Sequence, residues 1–141
     1  MTFEGNGAEL GGVVPPRRKV PHYHGDEVRI LFFVIALVLV VAQSTGAALP
    51  FSTLGAVLVA ILLVVAAGIT NPAQVWIHWF NAFLAIAGTL IFGTAAIDHY
   101  RAGLSIFDFS FVYIEATALL SLVALYFTTR TIRGLVQRFK L

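Results

Sequence analysis

From Ile30 to Ile97 the chain carries no Asp, Glu, Lys or Arg, and the run is broken only by turn-forming stretches at Gly46 to Pro50 and Thr70 to Pro72. A soluble domain of this length has too little interior to hide such a stretch, because about a quarter of its residues are normally charged. Here charged residues are 11% of the 141 and hydrophobic ones 59%. About 20 predominantly apolar residues suffice to cross the hydrocarbon layer of a bilayer as a helix, which satisfies its own backbone. The expected fold is an all-α membrane protein, a four-transmembrane-helix antiparallel bundle.

The punctuation sets the spans. Residues 1–26 read as a flexible tail, with Pro15-Pro16 and the basic cluster Arg17-Arg18-Lys19 disfavouring helix. The transmembrane domain, 27–129, divides into spans at about 28–45, 51–69, 72–97 and 105–129. Thr70-Asn71-Pro72 has the form of a helix start, a capping side chain followed by proline at the first helical position. In the second span Ser52, Ala56 and Ala60 recur every four residues, the small-residue spacing that lets membrane helices approach closely. The segment 130–141 keeps a helical period in Ile132, Leu135, Val136 and Phe139. It reads either as a basic amphipathic helix on the membrane surface or as the fourth helix running on.

Topology follows from the bases. Arg17, Arg18, Lys19 and Arg29 precede the first span, and Arg130, Arg133, Arg138 and Lys140 follow the last; only Arg101 lies elsewhere. The positive-inside rule then expects both termini in the cytoplasm, in a multi-pass protein of the cell (plasma or inner) membrane. The four C-terminal bases suit anionic lipid headgroups. Because the Lys and Arg residues flank apolar spans, the formal charge of +2 points to no nucleic acid.

The third span separates by face at 100° per residue. Gln74, His78, Asn81, Ala85, Gly88, Thr89 and Ala96 form a small, polar face expected to meet protein, whereas Trp76, Phe80, Phe83 and Ile91 form a bulky one expected to meet lipid. In the fourth span Asp108 and Glu115 share one side, and Ser110, Thr117, Ser121 and Thr128 cluster on the opposite side. Little lipid-facing surface then remains, so this helix is expected to be the most buried or to lie at an oligomer interface.

An ionised carboxylate inside a membrane helix costs at least about 2.5 kcal/mol, so Glu115 needs a partner, a proton or water. Counting back from the turn between the third and fourth helices sets Glu115 near the midplane, level with Gly88 and Thr89. The same count pairs Ser121 with Asn81, puts His78 near the cytoplasmic end, and leaves Asp108 outside, near Arg101 or His99. Two readings of this polar line follow. It is a proton or cation pathway of a small transporter or channel subunit using Glu115, or it is interhelical packing in a non-catalytic assembly or accessory protein. In either case a homo-oligomer or a membrane-protein partner is expected.

Other chemistry has little support. The sequence has no cysteine, which removes disulfides, thiolate metal sites and iron–sulfur clusters. It also lacks H-E-x-x-H, G-x-S-x-G and a phosphate-binding glycine loop. His22 and His24, at i and i+2, fit a strand better than a helix, and no further ligand is obvious. The stretch reads instead as an aromatic-polar collar at the headgroup level, with Asp26 and Glu27 favouring the start of the helix that follows. No enzyme activity, cofactor or metal is expected.

Overall fold

A computed structural model describes residues 22–140. These residues form four helices and no strand: α1 (Gly25–Ser44), α2 (Thr53–Ile69), α3 (Val75–Arg101) and α4 (Phe109–Lys140). Two of them, α3 and α4, are long and apolar enough to cross a membrane, and α2 is a shorter apolar helix. The paired prolines and the cluster Arg17-Arg18-Lys19 lie outside the described residues. Helix α1 already begins at Gly25, inside the segment expected to be irregular.

Local chemistry explains most boundaries. Asp26 and Glu27 occupy the first turn of α1, where the helix dipole favours negative charge. The helix ends in a Schellman arrangement: the Ala47 N–H donates to the Ala42 carbonyl at 3.0 Å, and the Gly46 N–H to that of Gln43 at 3.2 Å. Gly46 sits at φ +76°, a conformation that a side chain would strain. The end of α3 repeats the device, with Gly103 at φ +73° and the Leu104 N–H donating to the His99 carbonyl. Ser52 does not extend the row of small residues in α2. It caps the helix, its Oγ accepting from the Gly55 N–H at 3.1 Å.

Three boundaries differ from the sequence expectation. Asn71 does not cap α3: its Oδ1 accepts from the Ala73 N–H at 2.9 Å and closes a separate turn, so α3 starts at Val75 rather than Pro72. The α3–α4 connection keeps its expected length but falls four residues later, because α3 runs on to Arg101 rather than ending at 97. Residues 102–108 make two turns, and α4 starts at Phe109 rather than 105. At its far end α4 continues without a break to Lys140, so the basic segment from Arg130 is a continuation of the fourth helix and not a separate element.

The helices pack in the lateral order α2, α1, α4, α3, with the α3–α4 contact the most extensive and α2 barely touching α3. The core is built from Phe32, Ile35 and Leu39 of α1, Leu63 and Ala66 of α2, Ala85 and Phe92 of α3, and Ile114 and Ala124 of α4. Ala56 and Ala60 are buried, as close approach of α2 to α1 requires. Each end of the bundle is pinned by one hydrogen bond across α1 and α4. The His24 N–H donates to Thr131 Oγ1 at 2.9 Å, and the Ala48 N–H to Ser110 Oγ at 3.0 Å. The first places Arg29, Arg130, Arg133, Arg138 and Lys140 toward one end of the molecule, with Arg101 at the other.

Candidate functional site

Helix α4 has two unlike sides, and the fold uses only one. Ser110, Thr117, Ser121, Ala124, Thr128 and Thr131 are buried against the other helices. Small residues there let backbones approach, and the threonines serve their own helix: Thr117 Oγ1 donates to the Tyr113 carbonyl at 2.8 Å and Thr128 Oγ1 to that of Ala124 at 2.7 Å. On the opposite side Val112, Leu119, Leu122 and Tyr126 are half or more exposed, and Glu115 is exposed among them. The expected separation of carboxylate and hydroxyl faces is therefore present, with the hydroxyls inside and Glu115 outside.

The depth of these residues needs correction. Ser121, expected level with Asn81, instead meets Gly88 two turns further along α3; a Cβ on Gly88 would lie 2.6 Å from Ser121 Oγ. Glu115 accordingly faces neither Gly88 nor Thr89. Thr89 Oγ1 donates to the Ala85 carbonyl at 2.8 Å, within its own helix. The cause is the later position of the connection, four residues further along the chain, which shifts the register of the two antiparallel helices. Glu115 stands six residues beyond Phe109, about 9 Å along the axis from the start of the helix. It is not at the middle of α4.

Asp108 is half-buried just before α4, and its carbonyl accepts from the Val112 N–H at 3.0 Å. Neither Arg101 nor His99 pairs with it: the ion pairs among the described residues are Arg29 with Asp26 at 3.6 Å and His24 with Glu27 at 3.5 Å. Asp108 belongs to the helix start.

His78 and Asn81 do come together, on the buried face of α3 near the end that carries most of the bases. The Asn81 side-chain amide donates to Thr70 Oγ1 at 2.9 Å, and Thr70 Oγ1 in turn donates to the Ala66 carbonyl at 2.7 Å. The Tyr23 ring stands edge-on to His78, with centroids 5.7 Å apart. His78 Nε2 and Asn81 Oδ1 are buried with no hydrogen-bond partner among the described residues. Thr70 and Tyr23 are members of this node that the sequence reading missed. Thr70 lies in the stretch expected to start the third helix, and only the return of the chain on itself brings Tyr23 to α3.

The expected polar line is thus three separate features: Asp108 at the entry to α4, Glu115 outside, and the His78–Asn81 node inside. Between α2 and α3 a cavity of about 200 Å³ reaches the core. Its walls are apolar, including Phe32, Leu63, Leu84 and Phe92, with Ser121 at one edge. No three His, Asp or Glu side chains among the described residues converge as metal ligands would.

Compared with protein-family models, with curated proteins and with solved structures, the chain matches none of them.

Proposed function

We propose that the chain is a four-span integral membrane protein with both termini in the cytoplasm. It acts as a non-catalytic assembly or accessory subunit that docks to another membrane helix through the outer side of α4. Support for four spans comes from the surface. Ile30, Phe33 and Leu37 of α1, Leu54, Leu58 and Ile61 of α2, and Trp76, Trp79 and Phe83 of α3 are all more than half exposed. Apolar patches on that scale suit lipid, not water. Gathering of the bases at one end supports the orientation through the positive-inside rule.

The observation that carries the docking role is the outward exposure of Glu115 between Val112 and Leu119. A carboxyl group there faces hydrocarbon unless another protein covers it, and lipid offers it no hydrogen bond. The alternative pathway reading loses its central element, because Glu115 is not part of the interior.

Cross-linking in native membranes tests the proposal. The wild-type chain should be captured in a complex, and Glu115→Leu should return it to the mass of a single chain. A complex indifferent to Glu115→Leu would overturn the docking role. So would protein-dependent proton flux in liposomes that disappears with Glu115→Gln, which belongs to the pathway reading.

A further inference from the structure

We propose that the helix docked on α4 is α4 of a second copy of this chain, the two lying parallel about a two-fold axis along the membrane normal. The two Glu115 carboxyl groups would be hydrogen-bonded to each other across that axis. This rests on the docking role proposed for α4 and names its partner.

The spacing of the exposed residues is the first argument. Val112, Glu115, Leu119, Leu122 and Tyr126 follow one another at intervals of three and four, and all five are exposed. An alternation of three and four is the repeat of a helix seam that meets another helix along its length, and one polar residue within such a seam fixes its register. The opposite side of α4 is already consumed inside the bundle, where Ser121 closes on Gly88. The outer side is the one left for a partner.

Chemistry then selects the partner. Copies inserted in the same membrane share one orientation, so two α4 helices run parallel, and about a two-fold axis each residue near the axis meets itself. Most polar groups gain little from that. A carboxyl group is an exception, because its protonated form carries both a donor and an acceptor. Two neutral carboxyls exchange a pair of O–H···O bonds, and a pair holding a single proton forms one charge-assisted bond. A second copy offers no cation instead, since no Lys or Arg lies between Arg101 and Arg130 or between Arg29 and Arg101.

The charges at the two ends of the seam allow this arrangement. Asp108 precedes the helix and Arg133 lies beyond Tyr126, so like charges meet across the axis only where water and salt screen them. Tyr126 is held along its own helix by Arg130, whose Nη1 donates to the phenol oxygen at 3.3 Å. The bulky outer side of α3, with Trp79 and Phe83, is left to lipid.

The absence of native cysteine makes the test direct. Single variants Leu119→Cys, Leu122→Cys and, as a control on α3, Phe83→Cys would be oxidised in lipid vesicles. Disulfide-linked dimers are expected for the two α4 positions and not for Phe83→Cys. In the Leu122→Cys background, Glu115→Leu should weaken dimerisation about three- to fifteen-fold, the worth of one interhelical hydrogen bond in a bilayer. Glu115→Gln, which keeps a donor and an acceptor, should preserve it. A Glu115→Lys chain should fail to pair with itself yet pair with the wild type. Absence of α4 cross-links, in a chain whose native complex still depends on Glu115, overturns the second copy and leaves the docking role standing. A native complex indifferent to Glu115 overturns both.

Discussion

Gly88 of α3 and Ser121 of α4 face each other, and a Cβ added to Gly88 would stand 2.6 Å from Ser121 Oγ and 3.2 Å from its Cβ. This contact sets the register of the hairpin. It aligns the hydroxyl stripe of α4 with the polar face of α3, and it thereby turns Glu115 to the outside.

Gly88→Ala should therefore destabilise the bundle, although alanine is the better helix former. The Ser121 backbone or side chain has to yield, and overpacking of this kind costs about 1–3 kcal/mol. Ser121→Gly in the same chain should restore most of the loss. Thermal unfolding in a mild detergent would show it, and an unchanged midpoint for Gly88→Ala would mean that the helices do not touch there.

Asn81 and Thr70 form the buried side-chain hydrogen bond between the end of α2 and the start of α3, with 0% and 5% of their surfaces exposed. Thr70→Val keeps the shape and leaves the Asn81 amide unpaired, so it should cost more than Thr70→Val made in an Asn81→Leu background. A double-mutant cycle should return a coupling of about 0.6 kcal/mol, and no more than about 1.7. Additive effects would deny the bond.

The two cross-bundle pins should act locally. Thr131→Val removes the acceptor for the His24 N–H, and Ser110→Ala removes that for the Ala48 N–H. Hydrogen exchange should accelerate at His24 in the first variant and at Ala48 in the second. Protection in the middle of α4 should hold in both.

Alkaline stability should depend on Tyr23. Burial, reinforced by Asp26 and Glu27 and opposed by Arg29, raises its phenol above the ordinary 10.0. The folded chain thus keeps the proton longer than the unfolded one. The contribution is complete below pH 10 and is lost as the pH climbs through the raised value. Tyr23→Phe should abolish that part of the decline, measured as the unfolding midpoint across the alkaline range.

Much of the helix arrangement was legible in the chain. Uncharged apolar runs, the glycines at 46 and 103, and the separation of polar from bulky residues in α3 depend only on local sequence. His78, Asn81 and Ala85 are indeed buried, and Trp76, Trp79 and Phe83 exposed. Two residues depart from this pattern: Gln74 precedes the helix and so escapes its periodicity, and Phe80, expected to meet lipid, is partly buried against the core. The candidate site was less legible, since its geometry depended on a turn whose position the residue pattern did not set. The continuation of α3 to Arg101, with the turn displaced by four residues, moved Ser121 from Asn81 to Gly88 and carried Glu115 away from Thr89.

Sequence by itself determined that α4 has a hydroxyl side and a carboxylate side, because the 100° step of a helix is a local property of the backbone. Which side the protein would bury was decided only by the tertiary structure. Antiparallel helices settle their register by side-chain fit along their whole contact, and here Gly88 has no side chain to keep Ser121 away. With that contact made, Glu115 is left exposed on the outer side of α4.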